Sequence, residues 1–362
     1  MRAILLAGGQ GTRLRPLTLN TPKPIVPIFD RPFLQYQIDV LRQVPEVDEI
    51  VLSLNYQPHR IQEVFGDGSA LGVRLHYGVE PEPLGTGGAI RFAAGDYRGA
   101  PLIVFNGDVF TSVDLAALVA LHRERKARAT IVLTPVDNPS AYGLVETDQD
   151  GNIQAFVEKP KPEEIRCNTI NAGIYVLDPE LLDRIPLGKP SSVERDYFPS
   201  LIRDRQTFIA HVSNGYWLDI GTPAKYRQAH DDIMTGRFRA APFLQSPGAA
   251  VIAPSASVAA GAVLEAPCFV GEGAVIGRGT RIGAHTVVGA GCRIGMDAVI
   301  EGAILWPDTH VGDHAHVGAI VAGRGCRIGA YARVRGDIML GDGSVVTDYS
   351  SIGEAQVRGL SV

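Results

Sequence analysis

From residue 252 onward, aliphatic side chains return at every sixth position: Ile252, Val258, Leu264, Val270, Ile276, Ile282, Val288, Ile294 and Ile300. A small side chain stands four residues after each of the first eight, from Ala256 to Ala298, and glycine directly follows five of the nine. Neither the 3.6-residue period of a helix nor the two-residue alternation of a half-buried strand gives this spacing. A six-residue period in a glycine-rich chain predicts a left-handed parallel β-helix of hexapeptide repeats. One aliphatic side chain per short strand turns inward, the small residue sits near a corner, and glycine supports the tight turns. The period slips around Ile304–His310, resumes at Val311 and Val317, and returns weakly at Ile328 and Val334. With three hexapeptides to a coil, the repeat predicts about five or six coils.

The chain before residue 239 is patterned differently. Short apolar runs at Arg2–Ala7, Ile50–Leu54, Leu102–Phe105, Ala129–Thr134 and Ile174–Leu177 alternate with helix-like stretches such as Phe33–Val44 and Leu115–Arg125. That alternation predicts an α/β domain, a Rossmann-like and mostly parallel sheet sandwiched by helices. Residues 239–250, with two prolines, a glycine and little periodicity, read as a linker. The expected division is therefore 1–238, a linker 239–250, and a β-helix domain over 251–362.

Composition narrows the class. The chain has 362 residues, a formal charge of −5, 45% hydrophobic and 20% charged residues, which is ordinary globular composition and carries no nucleic-acid footprint. No apolar run approaches the roughly 20 residues that span a bilayer. The apolar start Met1–Ala7 stops too soon at Gly8-Gly9-Gln10-Gly11 for a signal peptide. The four cysteines form no CxxC pair, so a reduced, cytoplasmic chain is expected. Cys268, Cys292 and Cys326 read as small buried hydrophobes rather than metal ligands. His310, His314 and His316 read as solvent-facing residues of the coils.

The candidate chemistry lies in the first domain. Gly8-Gly9-Gln10-Gly11-Thr12-Arg13 follows the first strand at its carboxyl end, where ligands of such sheets bind. It lacks the GK[ST] of a P-loop and the third glycine of a dinucleotide fingerprint. Its backbone N–H groups can cradle phosphates, with Arg13 as a clamp and Lys23, in Thr21-Pro22-Lys23-Pro24, as a point charge. Asp108, in Asn106-Gly107-Asp108, ends another strand and suits Mg²⁺. Asp219 lies within the apolar stretch Trp217–Ile220 and needs a partner, which shared Mg²⁺ would supply. Spacing alone does not pair residues 111 apart, and a helix cap is the plainer reading of either.

GGQGTRLRPLT at 8–18, TPKP at 21–24, NGD at 106–108, VEKP at 157–160, NAG at 171–173 and WLDIGTP at 217–223 resemble the sugar-nucleotide pyrophosphorylases, in order and spacing across the first domain. The hexapeptide domain resembles that of the long members. The resemblance implies attack of a sugar 1-phosphate oxygen on the α-phosphorus of a nucleoside triphosphate with loss of pyrophosphate, assisted by Mg²⁺. Arg13, Lys23, Asp108 and Asp219 would be catalytic, the two Asp as metal ligands. Leu6, Ala7, Gly8, Gly9, Gln10, Gly11, Thr12, Pro83, Gly85 and Thr86 would face the nucleotide. Gly143, Glu158, Lys159, Asn171, Gly173 and Arg195 would hold the sugar phosphate.

Within the family the chain is most similar to members that join GTP to mannose 1-phosphate. Those usually read PLGTAG where this chain has PLGTGG at 83–88, a glycine pair also favoured by heptose-phosphate guanylyltransferases. Thymidylyl or uridylyl transfer to glucose 1-phosphate is the other alternative, although Thr86 and Gly87 stand where thymidylyltransferases tend to carry a base-reading Gln. Arg195 replaces a Lys of the SIEKE motif. Two further readings are a non-catalytic regulatory subunit, which would be expected to lose Arg13, Lys23 or an Asp, and a bifunctional acyltransferase using His285 or His310. The β-helix, with its open coil ends, is expected to support homo-oligomerisation.

Overall fold

The computed structural model describes residues 1–353. The chain forms two compact units whose segments interleave. The first comprises residues 1–10, 22–25 and 34–219, and the second residues 11–21, 26–33 and those from Ile220 onward. Packing thus groups residues 11–21, 26–33 and 220–238 with the repeat coils, a grouping that no single cut in the sequence expresses.

In the first unit, β1 (Arg2–Leu6) runs parallel between β2 (Glu49–Leu54) and β4 (Leu102–Asn106), with β3 (Arg74–Val79) beyond β2. β5 is Val109–Thr111, β6 Ala129–Pro135, β7 Gly143–Thr147, β8 Ile153–Glu158, β9 Thr169–Leu177, β10 Phe208–Val212 and β11 Trp217–Asp219. Among the described residues the main sheet has nine strands in the order β8-β7-β9-β4-β1-β2-β3, with β6 joined to β9 and β10. β9 enters antiparallel to β4 and β6, so a parallel half meets an antiparallel one.

The alternation of β1 explains the layers. Ala3 and Leu5 turn to one apolar cluster with Leu34, Ile38 and Leu41 of α1 (Phe33–Leu41) and Ile61 of α2 (Pro58–Phe65). Ile4 turns to the other, with Ile90 and Ala94 of α3 (Gly85–Ala94). α4 (Leu115–Glu124) adds Leu115 and Leu118 to the first cluster, and α5 (Phe198–Arg203) adds Phe198 and Leu201 to the second. Burial on both faces is what a near-continuous run such as Ala3-Ile4-Leu5 requires. Because β1 and β4 are parallel, the Gly8–Gly11 turn and the Asn106–Asp108 turn leave the sheet at the same edge.

The second unit holds the left-handed parallel β-helix that the repeat predicts. One of its sheets stacks six two-residue strands, giving six coils, and continues unbroken to Val345–Val346. The apparent slip is one residue lost at each of two steps, Ile300 to Leu305 and Val317 to Ala322. Ile282 pairs with Ile300, eighteen positions on, and Val288 with Leu305, seventeen on. Each time the chain loses one corner residue and keeps its aliphatic rung, so Leu305, Val311, Val317, Ala322, Ile328 and Val334 all stay buried. Cys268, Cys292 and Cys326 are buried free thiols, and burial pushes the first two up to about 11 and about 12. Cys292 and Cys326 donate to the carbonyls of Trp306 and Gly341.

α6 (Pro223–Met234), capped by the Thr222 hydroxyl, belongs to this unit, as does a tight hairpin pairing Pro27–Ile28 with Arg31–Pro32. The Tyr226 hydroxyl donates to the Pro27 carbonyl and accepts from Trp306 Nε1 at 2.9 Å. Phe29 packs on His230, Phe243 and Phe269.

Candidate active site

The shared edge of β1 and β4 explains the position of Asp108. Gly107 N donates to the Leu6 carbonyl at 2.9 Å, and a Cβ at Gly107 would lie 2.2 Å from that oxygen. Only glycine lets the two turns approach this closely. Gln37 of α1, fully buried, donates through Nε2 to the carbonyls of Asn106 (2.8 Å) and Val109 (2.9 Å), so it clamps the turn from both sides. Asp108 Oδ2 then meets Lys23 Nζ at 2.9 Å. Lys23 is 8% exposed, and a buried ammonium requires such a partner.

β5 and β11 supply the relationship that spacing could not. They pair antiparallel with Asp219 opposite Val109, the neighbour of Asp108. Neither Asp caps a helix. Asp219 ends a strand, and its Oδ2 accepts from the Tyr142 hydroxyl at 3.1 Å. The Tyr142 ring stands edge-on to Trp217, whose Nε1 donates to the Ala172 carbonyl at 2.9 Å. Tyr142 leads into Gly143, which lies opposite Glu158 in the β7–β8 pair. Lys23–Asp108, Val109–Asp219, Asp219–Tyr142 and Gly143–Glu158 are thus successive contacts and register pairs, joined through the chain steps Asp108–Val109 and Tyr142–Gly143.

The remaining sugar-side residues gather around β9. Asn171 donates to the Tyr175 hydroxyl at 2.9 Å and accepts from Gly173 N at 2.8 Å, across a local register shift. Burial raises the Tyr175 phenol well above its ordinary value. Burial, and next the charge of Glu194, raise the Glu158 carboxyl, while Lys159 and Arg195 oppose the rise. Lys159 and Arg195 are exposed.

At the amino end of α3, Thr86 donates to Glu194 Oε2 at 2.8 Å and accepts from Val193 N at 2.9 Å. Gly87 N and Gly88 N both donate to the Ser191 carbonyl. These first-turn groups are therefore engaged by the 191–194 segment. Pro83 and Gly85 are exposed. Leu6 and Ala7 close β1, Ala7 N donating to the Ser53 carbonyl, and Gly8 is half-buried while Gly9 is exposed. Gly11 and Thr12 open the short turn Thr12–Leu14, on which Arg13 is exposed in the second unit.

Sequence reasoning missed Gln37, Glu80, Tyr142, Tyr175 and Glu194 as parts of this architecture. Glu80, buried, accepts from the Ser53 hydroxyl at 2.8 Å and from Leu84 N at 3.0 Å, fixing the loop into α3. Tyr142 and Glu194 lie inside quoted motifs, but a single sequence gives no sign of which neighbour in a motif makes the contact.

In the β-helix, His310 and His316 lie on different sheets, His314 stacks on Tyr331 at 4.7 Å, and His285 pairs with Asp231 at 3.0 Å. No acyl-transfer arrangement brings them together among the described residues. Those residues also include no group of three or more His, Cys, Asp or Glu side chains able to hold a metal alone, and no helix long and apolar enough to cross a membrane. Mg²⁺ does not need such a group, since one or two carboxylates and substrate phosphates suffice. The donor set of Asp108 and Asp219 fits that demand.

Residues 2–236 match the family model described as nucleotidyl transferase, and residues 264–359 match the GMPPB C-terminal domain. The chain is 42% identical over 235 residues to the mannose-1-phosphate guanylyltransferase of Mycobacterium tuberculosis, covering 65% of each protein. It is 44% identical over 231 residues to the probable mannose-1-phosphate guanylyltransferase 1 of Oryza sativa subsp. japonica, covering 62% of this chain and 63% of that one. The matched stretch thus spans just under two thirds of these relatives. Among solved structures, HddC from Yersinia pseudotuberculosis is 31% identical with a TM-score of 0.55, covering 64% of this chain and 99% of that one. From its fold, its site and these matches together, the chain belongs to the nucleotidyl transferase family.

Proposed function

We propose that the protein is a mannose-1-phosphate guanylyltransferase, converting GTP and mannose 1-phosphate to GDP-mannose and pyrophosphate. The observation that carries the reaction class is the register placing Asp219 opposite Val109, beside an Asp108 already paired with the buried Lys23. The substrates rest on the relatives' names at 39–44% identity, and HddC has also been solved in complex with GMP-PN.

The chemistry asks little of a general base. The sugar-phosphate oxygen is already anionic, attacks the α-phosphorus in line, and displaces pyrophosphate with its bonding electron pair. What remains is positioning and charge neutralisation. Lys23 and Arg13 are assigned to the triphosphate, and the Gly8–Gly11 backbone and residues 83–86 to the nucleotide. Asp108 and Asp219 are assigned to Mg²⁺, which when bound would neutralise phosphate charge. Tyr142 orients Asp219. Glu158, Lys159, Asn171, Gly173, Gly143 and Arg195 are assigned to the sugar phosphate. Residues 1–238 would carry this chemistry, joined through 239–250 to a β-helix over 251–362 that supports homo-oligomers. A cytoplasmic location fits the free cysteines.

A pyrophosphate-release panel tests the reading. It crosses GTP, dTTP, UTP, ATP and CTP with mannose, glucose, galactose, glucosamine and heptose 1-phosphates in Mg²⁺. Turnover confined to GTP and mannose 1-phosphate is the expected result. Preference for dTTP with glucose 1-phosphate would instead favour the second reading, for which a 26% identical structure titled as a putative glucose-1-phosphate thymidylyltransferase from Bacillus anthracis speaks. No release with any pair would leave a regulatory subunit.

A further inference from the structure

One flat face of the β-helix exposes a single side chain per coil, in the row Ser257, Val275, Arg293, His310, Arg327 and Val345. Register places Arg293 opposite His310 and His310 opposite Arg327. Parallel strands lie about 4.8 Å apart, so the two arginines start about 10 Å apart with the imidazole between them. Like charges stacked along a sheet repel. The fold neutralises another exposed arginine of this unit: Arg281 pairs with Glu265 and Glu301 at 2.7 and 3.1 Å. Among the described residues, Arg293 and Arg327 have no such partner.

A groove of about 970 Å³ runs over the Arg293, His310, Arg327 and Val345 part of this row. Asp313 and Asp348 also line it. Each turns Oδ1 to a corner N–H of the preceding coil, Met296 at 2.7 Å and Ala330 at 2.9 Å, and among the described residues neither pairs with an arginine. The groove therefore carries two arginines in register on either side of a histidine, and its two carboxylates are turned to backbone N–H groups rather than to either guanidinium. Guanidinium forks bind phosphate oxygens bidentately, and two of them match a group with two adjacent anionic centres.

We propose that the Arg293–His310–Arg327 face is a second binding site, for a diphosphate-bearing small molecule. It lies wholly in the second unit and is independent of the assigned reaction. The free diphosphate and a nucleoside diphosphate share this chemistry.

Hydrogen exchange followed by mass spectrometry on the full chain tests it, with inorganic pyrophosphate and GDP as probes. Peptides spanning 293–313 and 327–330 are expected to gain protection. Arg293→Gln/Arg327→Gln is expected to weaken the half-saturating concentration about tenfold or more, the scale of one lost charged contact, and Arg281→Gln to leave it unchanged. Equal protection by both probes supports recognition of the diphosphate alone, and protection by GDP only supports recognition that includes the nucleoside. Absence of protection with either probe, or protection that survives the double substitution, overturns the proposal. Binding in the first unit reports in different peptides, so failure of the transferase reading would be seen separately.

Discussion

The carboxylate of Asp30 accepts the backbone N–H of Ala290 at 2.8 Å and that of Glu272 at 3.4 Å, two corners of the β-helix on successive coils. Elsewhere the coils supply this contact themselves: Asp313, Asp342 and Asp348 accept from Met296, Arg324 and Ala330 of the coil before. Ala290 stands where those coils carry Asp, and the hairpin around Asp30 provides the missing carboxylate. Burial raises the Asp30 carboxyl despite these bonds, so desolvation is the larger effect.

Asp30→Ala is expected to destabilise the protein by about 1 kcal/mol, the scale of lost hydrogen bonds to one half-buried and one exposed donor. Adding Ala290→Asp in that background should recover part of the loss, because the coil then caps its own corner. Urea unfolding of the two variants checks this, and a double variant no more stable than the single one would refute the equivalence of the corners.

Gln37 is expected to matter through Asp108. Gln37→Met preserves volume but leaves the Asn106 and Val109 carbonyls unpaired, so the turn should loosen and kcat fall about tenfold, the rate equivalent of about 1.4 kcal/mol. Asp219→Asn, which removes a proposed metal ligand, should cost about a hundredfold or more. Tyr142→Phe should cost less, since its hydroxyl only orients Asp219. Steady-state pyrophosphate release at varied Mg²⁺ orders the three, and equal losses would argue against these separate roles.

The glycine pair at 87–88 is not symmetric. A Cβ at Gly87 would lie 3.1 Å from the Ser191 carbonyl oxygen, whereas one at Gly88 would lie 2.8 Å from both Leu84 Cβ and the Lys189 carbonyl. Gly87→Ala should therefore be tolerated, in keeping with the PLGTAG of similar sequences. Gly88→Ala should destabilise by about 1–3 kcal/mol through overpacking. Thermal unfolding of the two single variants decides it.

Two buried histidines set an acid limit. Burial lowers His122 and His230 to about 4. His122 Nδ1 meets the Thr130 hydroxyl at 2.8 Å, and His230 Nε2 accepts from Phe29 N at 3.3 Å while Nδ1 meets the Tyr226 carbonyl. Unfolded histidine titrates near 6.5, so between about 6.5 and 4 the unfolded chain binds more protons than the folded one. Their stabilisation is whole above that window and is lost as pH falls through it, with a slope of up to about 1.4 kcal/mol per pH unit for each. Urea unfolding at pH 7 and pH 5 should show the loss, and His122→Gln should flatten it. A pH-independent wild type would contradict the assignment.

The hexapeptide repeat determined the β-helix because every rung repeats one local requirement: an aliphatic side chain inward and a small residue near the corner. Two five-residue steps, from Ile300 to Leu305 and from Val317 to Ala322, blurred the period on paper but not the rungs, since parallel pairing resumes after each corner. The strands of the first unit were legible for the same reason, as local apolar runs, and the motif resemblance marked Lys23, Asp108, Asp219 and Glu158. Only the tertiary structure brought Asp219 opposite Val109, the neighbour of Asp108, because sheet register, not spacing, sets which distant residues oppose each other. It alone buried Lys23 against Asp108, seated Gln37 behind the turn, and grouped residues 11–21 and 26–33 with the coils. Those relationships depend on which surfaces pack together, and a periodicity read along the chain holds no information about its distant partners.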